Sequence, residues 1–169
     1  MEAKGGYPIG TQPQCARRHG GYTLSRLSWA DLHQVVTLER TVFPEPIRPR
    51  TLVRTYMRPE VTYLAAHPDH SRRLAAYYGF ECLPDGHGAH VLANSTHPED
   101  RRRGLARALV TWGLELARDQ GVRWIVGEVR VSNHAQMAFM EMMGWKVGDR
   151  IPHFFGNGED AWMVYRCMD

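Results

Sequence analysis

The chain has 169 residues, of which 43% are hydrophobic, and a formal net charge of +3. That length suits one domain with its own core. No apolar run approaches the ~20 residues of a membrane helix, the N-terminus lacks the apolar stretch of a secretory signal, and the charge is too mild for a nucleic-acid stripe, so a cytoplasmic protein with neither membrane nor nucleic acid as partner is expected.

Residues 1–20 are rich in Gly, Pro, Gln and Arg without an apolar period, which predicts a disordered arm before a single domain over 21–169. Tyr22 to Leu27 reads as a first strand. Ser28 and Asp31 carry the spacing of a helix start, and Leu32, Val35, Val36, Val42 and Phe43 recur at helical intervals. Pro44, Pro46 and Pro49 end that helix and stiffen the connection. Thr51 to Met57 predicts a short second helix. The period then changes: Val61 to His67 and Arg73 to Cys82 read as strands around a turn at residues 67–71, and Ala89 to Ser95 as another. Leu105, Leu109, Trp112 and Leu116 give one apolar face to a helix that Gly121 closes. Trp124 to Val131 is a strand, Asn133 to Met143 a helix, and Val147 to Ile151 and Ala161 to Cys167 are closing strands. The order predicts one α/β domain with a mixed sheet and no internal repeat.

Three cysteines, Cys15, Cys82 and Cys167, fit neither a disulfide framework nor a zinc signature. No pair among the histidines has helix-face spacing beside an acid, so no metal site is expected. The basic residues are almost all arginine, with Lys4 and Lys146 the sole lysines. Three arginines, Arg101, Arg102 and Arg103, run into Gly104 between a strand and a helix. The first N–H groups of a helix have no intrahelical acceptor, and the helix dipole adds positive charge there. Gly104 lets an oxygen approach the backbone, Ala106 is small, and arginine offers forked donors to phosphate. The segment reads as an anion cradle; a solvated basic turn is the simpler alternative. It lacks the Gly-Lys-Ser/Thr of a P-loop and the spaced glycines of a dinucleotide fingerprint.

Arg101-x-x-Gly104-x-Ala106 resembles the pyrophosphate-binding motif of the GNAT superfamily of acyl-CoA-dependent N-acetyltransferases. Thr96-His97-Pro98-Glu99 stands where that family has Val-Asp-Pro-Asp. Glu128-Val129-Arg130-Val131-Ser132-Asn133 and Gly158-Glu159-Asp160-Ala161 resemble stretches of its ribosomal-protein alanine acetyltransferase branch. The resemblance implies a GNAT-like, splayed mixed sheet flanked by about four helices, with the gap between its fourth and fifth strands. It implies acetyl-CoA, or another acyl-CoA, as cosubstrate and an amine of a small molecule or peptide as acceptor. Backbone of Asn94, Ser95 and Thr96 would pair with the pantetheine arm, Arg101, Arg102, Arg103, Gly104, Leu105, Ala106 and Arg107 would hold the pyrophosphate, and Asn133 would touch the cofactor across the gap. A homodimer stays open.

Acyl transfer from a thioester to an amine needs a neutral amine, a stabilised oxyanion and a thiolate that can leave. Glu128 matches the proton acceptor of that branch; a structural glutamate bonded to Arg123 or Arg130 is the alternative. The family's proton donor is a tyrosine where this chain has Met140, on one helix face with Asn133 and Met137. A thioether cannot donate, so either His134, His153, Tyr77, Tyr78 or water would take the role, or none is needed, since a thiol of pKa ~8.5 leaves tolerably as thiolate. A slower enzyme, a different acyl-CoA reaction such as thioester loading or decarboxylation, and a non-catalytic CoA-binding module follow as alternatives. Phe43, Pro44 and Glu45 stand at the expected acceptor wall, where Glu45 would attract a cationic amine or stay unpartnered. Phe154 and Phe155 replace a Tyr-Tyr pair, keeping ring surface and losing hydroxyls; core packing is the alternative.

Overall fold

The computed structural model describes residues 16–168. In chain order it comprises β1 (Arg17–His19), β2 (Tyr22–Arg26), α1 (Leu32–Val42), α2 (Pro49–Tyr56), β3 (Val61–Pro68), β4 (Ala76–Cys82), β5 (Gly88–Thr96), α3 (Leu105–Asp119), β6 (Trp124–Arg130), α4 (His134–Met142), β7 (Lys146–Ile151) and β8 (Ala161–Cys167). The strands form one sheet in the order β1-β2-β3-β4-β5-β6-β8-β7. Every neighbouring pair is antiparallel except β5 and β6. The mixed α/β sheet with four helices matches the expected architecture.

Three expectations change. Residues 1–15 of the expected arm lie outside the described residues, and its end is not an arm: Arg17 pairs with Leu24 and His19 with Tyr22. Gly20 and Gly21 make the turn between them with φ of 50° and 85°, the left-handed pair that a two-residue hairpin favours. The strand expected from Arg73 begins at Ala76, because the Leu74 N–H donates to the Gln34 side chain at 2.9 Å instead of joining a ladder. Pro49 does not break a helix but opens α2 at its first turn, where a missing N–H costs nothing.

Alternation along the strands assigns the faces. On β3, Leu64 and Ala66 join a core with Leu105, Leu109, Val110 and Trp112 of α3 and Met140 of α4. Tyr63 and Ala65, their neighbours, join a second core with Leu32, Val35 and Leu38 of α1 and Leu52 of α2. Tyr78 and Tyr77 divide in the same way. The sheet is therefore covered on both faces, α1 and α2 on one and α3 and α4 on the other, as its central apolar strands require.

Tyr78 is fully buried and lies against α3 at Gly113, where an added Cβ would stand 2.4 Å from Tyr78 Cε1. A helical Gly→Ala change ordinarily stabilises by ~1 kcal/mol. Here the clash reverses the sign: Gly113→Ala should destabilise by about 1–3 kcal/mol, read from the shift of the urea unfolding midpoint.

Candidate active site

The parallel strands β5 and β6 share a ladder over only Gly88–Trp124, Ala89–Ile125 and His90–Val126. Beyond it they part. On the β4 side, Phe80 pairs with Val91 and Gly79 with Ala93, so Leu92 is an extra residue, a β-bulge that bends β5. On the other side β6 stays paired with β8 along its whole length, from Trp124 to Arg130. One strand turns while the other is held, and a wedge opens through the sheet. The extra strand β1 shifts the count, so the gap expected between a fourth and fifth strand lies between β5 and β6.

At the narrow end is a cavity of about 250 Å³. Its walls include Leu92 and Ala93 of β5, Gly127, Glu128 and Arg130 of β6, Glu39 and Phe43 of α1 and the residue after it, Tyr77 of β4, and Asn133 and Met140 at α4. At the wide end a second cavity of about 750 Å³ is lined by Asn94, Ser95 and Thr96, by Arg101, Arg102, Gly104, Leu105, Ala106 and Arg107 at the start of α3, and by Pro44 and Asn133. Asn133 touches both, and its side chain caps α4 by accepting from the Gln136 N–H at 3.1 Å. The wide end suits a phosphate-bearing chain. Gly104 has φ of 76° and begins α3, so the N–H groups that follow lack intrahelical acceptors, and the arginines stand beside them.

Alternation puts Val126, Glu128 and Arg130 on the α1–α2 face, opposite Ile125 and Val129, which pack into the α3 core. The partner of Glu128 is neither Arg123 nor Arg130. Its Oε2 lies 2.7 Å from His90 Nε2. The pair sits at the apex, His90 in the last ladder rung and Glu128 just past it. The hydrogen bond that the His90 imidazole donates to Glu128 holds its pKa above the ordinary value, against the pull of burial, with Glu128 and Glu81 charges adding. In the sequence His90 is one residue of a strand; a lone polar side chain inside an apolar run is its only local signal, and its neighbour across the parallel ladder has none.

Arg130 is committed elsewhere. It bonds Glu45 at 2.9 Å and Glu159 at 2.9 Å, and its guanidinium lies 3.8 Å from the Phe155 ring centre. Glu45 also accepts from the Gly156 N–H at 3.2 Å. Glu45 is therefore a tie between the loop after α1 and the loop before β8, not an unpartnered acid. Glu159 accepts from the hydroxyl and the N–H of Ser132, and these bonds with that from Arg130 bring its pKa down to about 2. Phe155 lines the inner cavity; Phe154 is exposed at 45% and meets Phe155 edge-on at 5.0 Å.

Met140 is in the inner wall, as its helix face required. Among the donors considered, His134 is exposed at the first turn of α4 and lines neither cavity, because Asn133 and Gln136 take the inward face. His153 is turned to Gly158 and Asp160, and Tyr78 packs on the α3 face. Arg103 lines neither cavity, though its backbone belongs to the loop. Tyr77 does line the inner cavity, donating to Glu39 Oε1 at 2.5 Å. Glu39, which no motif singled out, is 5% exposed; burial raises its pKa, and it also accepts from the Ile47 N–H at 3.0 Å. Among the described residues, no helix is long and apolar enough to cross a membrane.

Residues 29–145 match the profile of the acetyltransferase (GNAT) family. A Bacillus subtilis (strain 168) protein that bears the name of a ribosomal-protein alanine N-acetyltransferase is 28% identical over 137 residues, covering 80% of this chain and 88% of its own. An N-alpha-acetyltransferase of Saccharolobus solfataricus is 25% identical over 156 residues, covering 87% and 93%. Among solved structures, Ard1 from Thermoplasma volcanium superposes with a TM-score of 0.81 at 17% identity, covering 89% of this chain and 99% of that one.

The pairing at the apex is open to direct titration. In an NMR pH series the His90 ring should show a midpoint above the ordinary ~6.5, and Glu128→Gln should lower it. Because the folded value is the raised one, the stability this pair contributes is full below ~6.5 and is lost as pH rises through the folded midpoint. An unshifted midpoint in the parent protein would remove the pair.

Proposed function

The chain belongs to the acetyltransferase (GNAT) family, and we propose that it is an acetyl-CoA-dependent N-acetyltransferase that transfers an acetyl group to a primary amine by direct attack in a ternary complex. The acceptor is a peptide N-terminus or an amine-bearing metabolite. The names of the two relatives favour the peptide. One observation carries the reading: a single wedge in the sheet has a helix start with arginines at its wide end and a Glu–His pair at its closed end.

Acetyl-CoA, when bound, supplies an activated acetyl thioester. The backbone edge of Asn94, Ser95 and Thr96 would pair with its amides, in the manner of an added strand. The amides at the start of α3, with Arg101 and Arg102, would hold its diphosphate. Gly104 supports this fit, since the left-handed backbone that starts α3 there, with φ of 76°, is one that glycine adopts freely. The acceptor enters from the α1–α2 face, where Phe43, Glu45 and Phe155 wall the inner cavity.

The attacking nitrogen must be neutral. An α-amine of pKa ~8 needs little help and a lysine amine of ~10.4 needs more. Glu128, hydrogen-bonded to His90, takes the proton that the amine releases as its N–C bond forms. The His90 side chain is 29% exposed, which gives that proton a route to water. Met140 offers no proton to the departing sulfur. A thiol of pKa ~8.5 leaves tolerably as thiolate, so the reaction runs without a protein acid at that position.

Release of free CoA from acetyl-CoA over a panel of peptide and small-molecule amines tests the reading. Glu128→Gln should lower kcat by ~10²–10⁴ and leave calorimetric CoA affinity unchanged. Absence of a binding heat with CoA, or equal turnover in the variant, would sink it.

A further inference from the structure

The hairpin of β1 and β2 reaches the phosphate-loop segment at both ends. At the front, Tyr22 donates to Asp100 Oδ1 at 2.7 Å, and Arg73 reaches both Asp100 oxygens at 2.6 and 3.0 Å. Asp100 is 3% exposed, so this bonding is sheltered from solvent. At the back, His19 Nε2 lies 3.0 Å from the backbone oxygen of Arg103. A carbonyl only accepts, so that nitrogen carries the hydrogen. The same ring lies beside Gly104, where an added Cβ would stand 3.1 Å from His19 Nε2. Arg17, two residues before His19, pairs with Glu115 at 2.6 Å and lies 4.9 Å over the Trp112 ring. Both partners are on α3, so the short strand is fastened to the helix whose N-cap it touches.

The Arg103 carbonyl and the Gly104 N–H belong to one planar trans peptide, and in such a unit the two bonds point in opposite directions. Whatever fixes the carbonyl also aims the amide. Gly104 needs such a restraint more than another residue would, because it lacks a side chain to limit its backbone.

We propose that His19 is a positioning residue for the diphosphate of CoA: by holding the Arg103 carbonyl on the hairpin side, it turns the Gly104 N–H towards the wide end of the wedge. This rests on the reading of that end as the cofactor's phosphate site. The consequence is selective. His19 acts on affinity for the diphosphate and leaves the thioester end, with Glu128 and His90, untouched.

The test is a ¹⁵N NMR titration of the full chain with two probes, CoA and pantetheine, the second lacking the diphosphate. His19→Phe keeps a ring and loses the donor; His19→Gln keeps a donor. His19→Phe should weaken CoA about three- to tenfold with pantetheine unchanged, and His19→Gln should restore most of the loss. The Gly104 amide should move downfield with CoA in the parent and less in His19→Phe. Equal CoA affinity in parent and His19→Phe overturns the proposal. So does an equal loss for both probes, or a Gly104 amide indifferent to CoA in a parent that binds it. A parent that binds no CoA refutes the cofactor reading itself, and this inference falls with it.

Discussion

Three ladder rungs join β5 to β6, and at the fourth position the strands have parted. The extra residue at Leu92 bends one strand, while the unbroken ladder to β8 holds the other. Strand backbone beyond His90 is left with N–H and C=O groups that no longer meet a neighbour on that side, and buried backbone groups demand partners. A ligand with amide groups of its own can satisfy them. The wedge also joins the two faces of the covered sheet: α3 and α4 border it on one side, and α1 with the loop after it on the other. In the proposed reaction a thioester and an amine arrive from opposite faces and meet at the apex without competing for one entrance.

Much of this was legible in the residues. The change of period from helical to alternating gave the order of elements, and the arginine run before Gly104, read with the family resemblance, pointed to the segment that lines the wide end. The helical spacing of Asn133 and Met140 placed both on the wedge. Pairings across distant segments were not legible. His90 and Glu128 are 38 positions apart, and they meet because the first residues of two parallel strands are in register, which no local pattern states. Arg130 looked like a neighbour for Glu128 since the two share a face of β6. In the structure two acids from loops claim it first. Arg17 to His19 resembled a polar tail because a three-residue edge strand buries too little to leave an apolar period.

Glu39 shows a further limit of local reading. It sits in α1 among Leu38, Val35 and Leu32 and breaks the apolar stripe. Its two oxygens are taken by the Tyr77 hydroxyl and the Ile47 N–H, so one buried acid fastens the helix to the sheet on one side and to the connection before α2 on the other. A buried acid satisfied in this way is tolerated, and it stiffens the wall on which an acceptor would rest.

Arg130 grips the loop after α1 through Glu45 and the loop before β8 through Glu159, with Phe155 beneath it. The two rims of the proposed acceptor entrance are consequently one mechanical unit. Transplanting either loop alone from a relative would take one of two acids from a guanidinium that is 10% exposed, so changes of the proposed acceptor preference are better tolerated as a coordinated exchange of both segments.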